Sequence, residues 1–178
     1  MKKNPSTDKP LRFVSILEKS GNKLWGGHFR VPARIAEKLA DRSSRRVVCT
    51  LNDSMVYQCA ILPFGKGVRV ISVNKKIRDT LGLGFGDEIR VSLARDTSTY
   101  GLPVPDEFRE LLRQDAEGDR LFHGLSRGKQ RTLLYMIAKA KNSAKRIEQA
   151  LIVVNHLKIN FGKIDYRKLS TSLRKGSR

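Results

Sequence analysis

The chain has 178 residues, 39% of them hydrophobic, and carries 36 Lys and Arg against 17 Asp and Glu, a formal charge of +19. That is enough apolar material for a packed core and too many charges for a membrane protein, and no window approaches the roughly 18 apolar residues of a membrane span. Composition also excludes collagen, a coiled-coil rod and a disulfide framework: Cys49 and Cys59 are the only cysteines, spaced C-x9-C with no histidine or second pair nearby.

Residues 1–10 read as a disordered N-terminus. They are basic but lack the apolar stretch of a secretion signal, so the expected location is the cytoplasm. Residues 11–98 read as one β-rich domain. Short runs of near alternation mark strands at 11–17, 23–31, 46–51, 55–62, 68–73 and 88–93. Asn52-Asp53-Ser54 suits a hairpin and Pro63-Phe64-Gly65-Lys66-Gly67 a wider turn, while two short helices are predicted at 33–40 and 75–81, the second stopped by Gly82. The two cysteines fall in neighbouring strands, where they read as buried thiols.

An offset of 42 residues pairs Val31 with Val73, Ile35 with Ile77, Leu39 with Leu81, Val47 with Ile89, Cys49 with Val91 and Leu51 with Leu93. Both halves read strand, short helix, strand, and neither closes a core alone. The expected fold is therefore a small closed six-stranded β-barrel with a pseudo-two-fold internal repeat, followed by a C-terminal helical module. Segment 70–93 is similar to the strand, helix, Gly-Asp, strand unit of swapped-hairpin transcription-factor barrels. That unit also occurs in barrels that bind no DNA, so fold alone does not give function.

Residues 99–170 read as the helical module and 171–178 as a frayed basic tail. Pro105-Asp106-Glu107 opens a helix with acids at its positive end, a second covers 118–123, and Ser126 caps a third. Leu133, Ile137, Ala140, Ala144, Ile147, Leu151 and Val154 recur at helical spacing and are expected as core, with a break near Asn142-Ser143.

Charge is distributed unevenly. Residues 1–102 hold 19 basic and 9 acidic side chains, residues 103–125 hold 3 and 6, and the remainder 14 and 2, for nets of +10, −3 and +12. The cations Arg127, Lys129, Arg131, Lys139, Lys141, Lys145 and Arg146 form the candidate surface for a polyanion, either nucleic acid or an acidic protein. A solvated helix face would show the same residues. No recognition-helix constellation is evident, so nucleic-acid contact would be non-specific, with Tyr135 and Phe161 placed to stack on bases. A second candidate is a ligand pocket at Trp25, Gly26, Gly27 and His28, where two glycines leave the backbone open beside an aromatic face and a titratable ring.

No catalytic residue, cofactor or metal is expected. His28, His123 and His156 lie in no ligand spacing, Ser126-Arg127-Gly128-Lys129 is better read as a capped helix start than as a nucleophile, and the glycines at 82–86 follow a helix and make turns. Composition and spacing leave the oligomeric state open.

In order along the chain stand Ile-Leu-Pro-Phe-Gly-Lys-Gly at 61–67, Lys-Lys-Ile-Arg with Leu-Gly and Gly-Asp behind it, Leu-Pro-Val-Pro-Asp-Glu-Phe, then Leu-Phe-His-Gly-Leu-Ser with the helix Lys-Gln-Arg-Thr-Leu-Leu-Tyr-Met-Ile. The chain thus resembles the YdeI or OmpD-associated (bacteriocin-protection) family over residues 11 to 157. The resemblance implies a barrel domain of unknown function, a small helical module and a role in protection against antibacterial proteins or peptides. It supplies no catalytic residue. The sequence departs from the family at 140–147, which is shorter here and lacks acids.

Overall fold

Strand alternation in β1 (Leu11–Ile16) half-buries Leu11, Phe13 and Ser15 and exposes Arg12, Val14 and Ile16. The remaining strands of the computed structural model are β2 (Glu18–Lys19), β3 (Gly27–Val31), β4 (Arg46–Leu51), β5 (Met55–Ala60), β6 (Leu62–Pro63), β7 (Arg69–Val73) and β8 (Glu88–Arg95). Residues 9–21, 26–40 and 44–175 are described, and the chain divides into two units, Met1–Gly101 and Leu102–Arg178. The N-terminal tail at 1–8, the start of the second predicted strand (23–31), and Trp25 lie outside the described residues.

The first unit is not a closed six-stranded barrel. Its strands form two open antiparallel sheets of four, ordered β1-β8-β4-β5 and β2-β3-β7-β6. Leu17 and Ile61, both fully buried, explain the difference. Each predicted strand through 11–17 and 55–62 leaves one sheet at that residue and enters the other as a two-residue strand. The corners' backbone groups bond elsewhere: Leu17 N–H donates to the Asp87 carbonyl at 2.9 Å, and Ile61 N–H to the Arg45 carbonyl at 2.9 Å. Alternation reveals which side of a strand faces the core, but not the strand beside it, and closure requires an unbroken ladder.

The offset of 42 has a clear structural expression. Helix α1 (Ala33–Leu39) joins β3 to β4 and α2 (Lys75–Leu81) joins β7 to β8, while β3 pairs with β7 and β4 with β8, both antiparallel. Val31, Ile35, Val47, Cys49 and Leu51 from one half meet Val73, Ile77, Ile89, Val91 and Leu93 from the other in one core. Asn74 caps α2 by accepting from Ile77 N–H at 2.9 Å, and Gly82 ends it with φ 63°.

The second unit contains α3 (Asp106–Gln114), α4 (Ala116–His123), α5 (Arg127–Ala138), α6 (Ser143–Ile159) and α7 (Tyr166–Lys175). Phe108 and Phe122 meet edge to face at 4.9 Å and are fully buried with Leu133, Ile137 and Val153. The single apolar stripe expected across α5 and α6 fails in its second half. Val154 is buried as expected, but Ile147 and Leu151 are 48% and 50% exposed, and Ala150, Val153 and Leu157 are buried instead. The chain stops being helical after Ala138 and restarts at Asn142, whose side chain accepts from Lys145 N–H at 2.9 Å. That break resets the phase, so a period carried across it selects the wrong face. Helix α7 continues to Lys175 with Leu169 and Leu173 buried, past the point where the sequence reads as a frayed tail; residues 176–178 lie outside those described.

Candidate functional site

Helix α5 owes its orientation to an apolar face and one buried amide. Gln130, Leu133, Leu134 and Ile137 are buried, and Gln130 Nε2 donates to the carbonyls of Phe122 at 3.0 Å and His123 at 3.4 Å. At helical spacing the opposite face must carry Lys129, Thr132, Tyr135 and Lys139, with Arg131 beside them. Tyr135 is 59% exposed, and the Lys139 ammonium sits 4.9 Å from its ring centroid. Lys141 follows in the turn, and Phe161 is exposed after α6.

The seven predicted cations separate into two groups. Lys145 Nζ pairs with Glu148 at 2.9 Å, and Arg146 Nη2 with Glu107 at 2.8 Å. Arg127 donates to Gln130 Oε1 at 3.5 Å. Lys129, Arg131, Lys139 and Lys141 have no carboxylate partner among the described residues. The acids of 103–125 are all committed within the unit: Asp106 to Arg109, Glu107 to Arg146, Glu110 to Arg113, Asp115 and Glu117 to Lys158, and Asp119 to His123. Asp165 lies 3.9 Å from Lys168. The acidic stretch therefore neutralises α6 and its own helices, and leaves the outer face of α5 cationic.

The Arg146 side chain, with help from Ser143, holds the Glu107 carboxyl down to about 2 from an ordinary 4.5. Lys158 and the Gly118 amide lower Asp115 in the same way. A depressed carboxylate stabilises the fold fully above its unfolded value and loses that contribution as pH falls toward its folded value. Thermal melts between pH about 5 and about 2 should therefore show falling stability, and Glu107→Gln should flatten that decline while lowering stability at neutral pH.

At the second predicted site Trp25 lies outside the described residues, and Gly26, Gly27 and His28 are described. Across the β2-β3-β7 sheet, Glu18 lies opposite His28 and His28 opposite Ser72. His28 is 2% exposed, its ring 4.6 Å from that of Phe64, and neither ring nitrogen has a hydrogen-bond partner among the described residues; Nε2 lies 3.8 Å from Glu18 Oε2. The space beside the glycines is used by the chain itself: a Cβ on Gly27 would meet Phe85 Cε1 at 3.0 Å, and one on Gly26 would meet Arg78 Nη2 at 3.5 Å. Among the described residues, cavities of about 430, 510 and 370 Å³ are lined by other residues, two of them in this unit.

Cys49 and Cys59 are free thiols on β4 and β5, with Cys59 half-buried rather than buried. The hydrogen bond with Cys49, and then burial, push the Cys59 thiol well above its usual range, which keeps it protonated. Among the described residues no three His, Cys, Asp or Glu side chains could hold a metal ion, and no helix is long and apolar enough to cross a membrane. Sequence reasoning missed the cations Arg30, Lys66 and Arg69, which line the 510 Å³ cleft. The signal available was Gly65-Lys66-Gly67, a lysine between two turn glycines, read only as a turn.

A two-sheet unit followed by a helical unit with a cationic outer face on α5 is the class that fold and charge define. Residues 13–93 match the family model for a domain of unknown function (DUF1905), and residues 102–158 match the model described as bacteriocin-protection, YdeI or OmpD-associated. The two matches agree with the resemblance to the YdeI or OmpD-associated family with an N-terminal domain of unknown function. No curated protein matches it.

Proposed function

We propose that the chain is a cytosolic, non-enzymatic binding protein whose helical unit holds the phosphates of a nucleic acid on the outer face of α5 and the turn after it. One observation carries this reading: every carboxylate paired in that unit pairs away from Lys129, Arg131, Lys139 and Lys141, and the Lys139 ammonium lies 4.9 Å from the exposed Tyr135 ring. Unpaired cations attract phosphates and release counterions, and an aromatic face beside them stacks on an unpaired base. Lysines and arginines that contact only phosphates carry no sequence information, so the binding is sequence-blind. The family's description is bacteriocin protection. A net charge of +19 repels cationic partners and favours anionic ones, which places direct capture of a cationic antibacterial peptide second.

The test is fluorescence anisotropy with labelled single-stranded RNA, single-stranded DNA and duplex DNA at low salt. Single strands should bind more tightly than duplex of equal length, and Tyr135→Ala should remove that preference. Absence of binding to any of them, or competition by polyglutamate as effective per charge as by nucleic acid, would count against the reading.

A further inference from the structure

Because the two sheets do not close, a seam remains where β1 faces β3, bridged by Ser15 Oγ donating to the Arg30 carbonyl at 3.1 Å. The 510 Å³ cleft opens at this seam, between Val14 and Ser15, Arg30 and Pro32, and the turn that joins β6 to β7. Arg30, Lys66 and Arg69 line it, and no carboxylate among the described residues does.

Each cation has capacity left. Glu18 takes Nε and Nη2 of Arg30 at 2.8 and 3.2 Å, which leaves Nη1. Among the described residues Arg69 reaches only the carbonyls of Gly67 and Val68, both at 3.3 Å. Lys66 makes no ion pair or hydrogen bond with any described residue, yet its backbone is left-handed, with φ 44° between Gly65 at 81° and Gly67 at 77°. A glycine would adopt that conformation without the steric cost that a Cβ carries. A strained lysine with no partner among the described residues marks a place where the side chain itself is used.

The walls are apolar as well as cationic: Val14 is 56% exposed at the cleft, and Pro32 stands opposite the turn. We infer that this cleft binds a small carboxylate with a short apolar body. Its acid group sits among Lys66, Arg69 and the open edge of Arg30, and its body lies against Val14 and Pro32. Planar guanidinium groups suit a carboxylate, and the apolar walls select against a fully hydrated anion. This site is in the first unit and stands or falls independently of the α5 reading.

Chemical-shift mapping of the full chain with hexanoate, 1-hexanol and inorganic phosphate tests it. Hexanoate should bind with a Kd on the order of 1 mM or tighter and shift residues of the seam, with 1-hexanol and phosphate each at least about fivefold weaker. Lys66→Gly should weaken hexanoate at least about fivefold while leaving the melting temperature unchanged or higher, since the glycine relieves the left-handed strain. Arg69→Gln should weaken it as well. Hexanoate affinity unchanged in Lys66→Gly, 1-hexanol binding as tightly as hexanoate, or shifts confined to residues away from the seam would each overturn the assignment.

Discussion

Changing Lys129, Arg131, Lys139 and Lys141 together to alanine should weaken single-stranded RNA binding by roughly 10²–10³-fold at about 0.1 M salt. Four neutralised phosphates correspond to a log-log salt slope of roughly −3, and one decade below a 1 M reference that release is worth up to about three decades of affinity. The loss should shrink as salt rises, which separates it from a folding defect. Lys145→Ala with Arg146→Ala provides the contrast. Those side chains are already matched by Glu148 and Glu107, so the pair should cost far less affinity and more stability, because it leaves Glu107, only 14% exposed, without its partner. Anisotropy titrations and thermal melts on the same samples read both quantities. Equal affinity losses in the two variants would show that net charge, rather than the α5 face, is responsible.

Gly118→Ala should destabilise the helical unit by about 1–3 kcal/mol. Helix propensity alone argues the opposite, since alanine inside a helix is favoured over glycine by about 1 kcal/mol. Contact decides the sign. The added Cβ would lie 2.6 Å from Val154 Cγ1 and 3.1 Å from Asp115 Cγ. Val154 belongs to the buried face of α6, and Asp115 both caps α4 by accepting from Gly118 N–H at 2.9 Å and pairs with Lys158. Neither neighbour can retreat without giving up packing or a cap. A melting temperature lower by several degrees in the variant, and lower still in Gly118→Val, is the expected result. An unchanged melting temperature would show that α4 and α6 pack less closely than described.

How far the sequence could be read is clear from particular residues. Strand β4 at Arg46–Leu51 and helix α2 at Lys75–Leu81 carry their own periodicity and stop signals, and both were legible to the residue. The offset of 42 exposed the matching halves because paired positions such as Val47 and Ile89 must both be apolar to share one core. Sheet closure was not legible. It depends on Leu17 and Ile61, two ordinary apolar residues whose corner role arises only from the loops their backbones bond to. The phase of α6 was lost at Asn142 for a similar reason: a cap is visible in sequence, but the rotation it introduces between helices is not.

At the candidate sites, residue types were legible and partners were not. The seven candidate cations from Arg127 to Arg146 stand out by charge alone. Which of them remain available depends on Glu107 and Glu148, one of them 39 residues away from its arginine. At Gly26 and Gly27 the glycines were legible and their neighbours were not: a Cβ there would lie 3.5 Å from Arg78 Nη2 and 3.0 Å from Phe85 Cε1 respectively.

The dependence of single-stranded RNA affinity on salt tests the central claim most directly. A log-log slope of roughly −3 in the natural chain, falling toward zero when Lys129, Arg131, Lys139 and Lys141 are all alanine, is the predicted result. A slope that stays the same after those four cations are removed would place the phosphates elsewhere on the molecule and contradict the account.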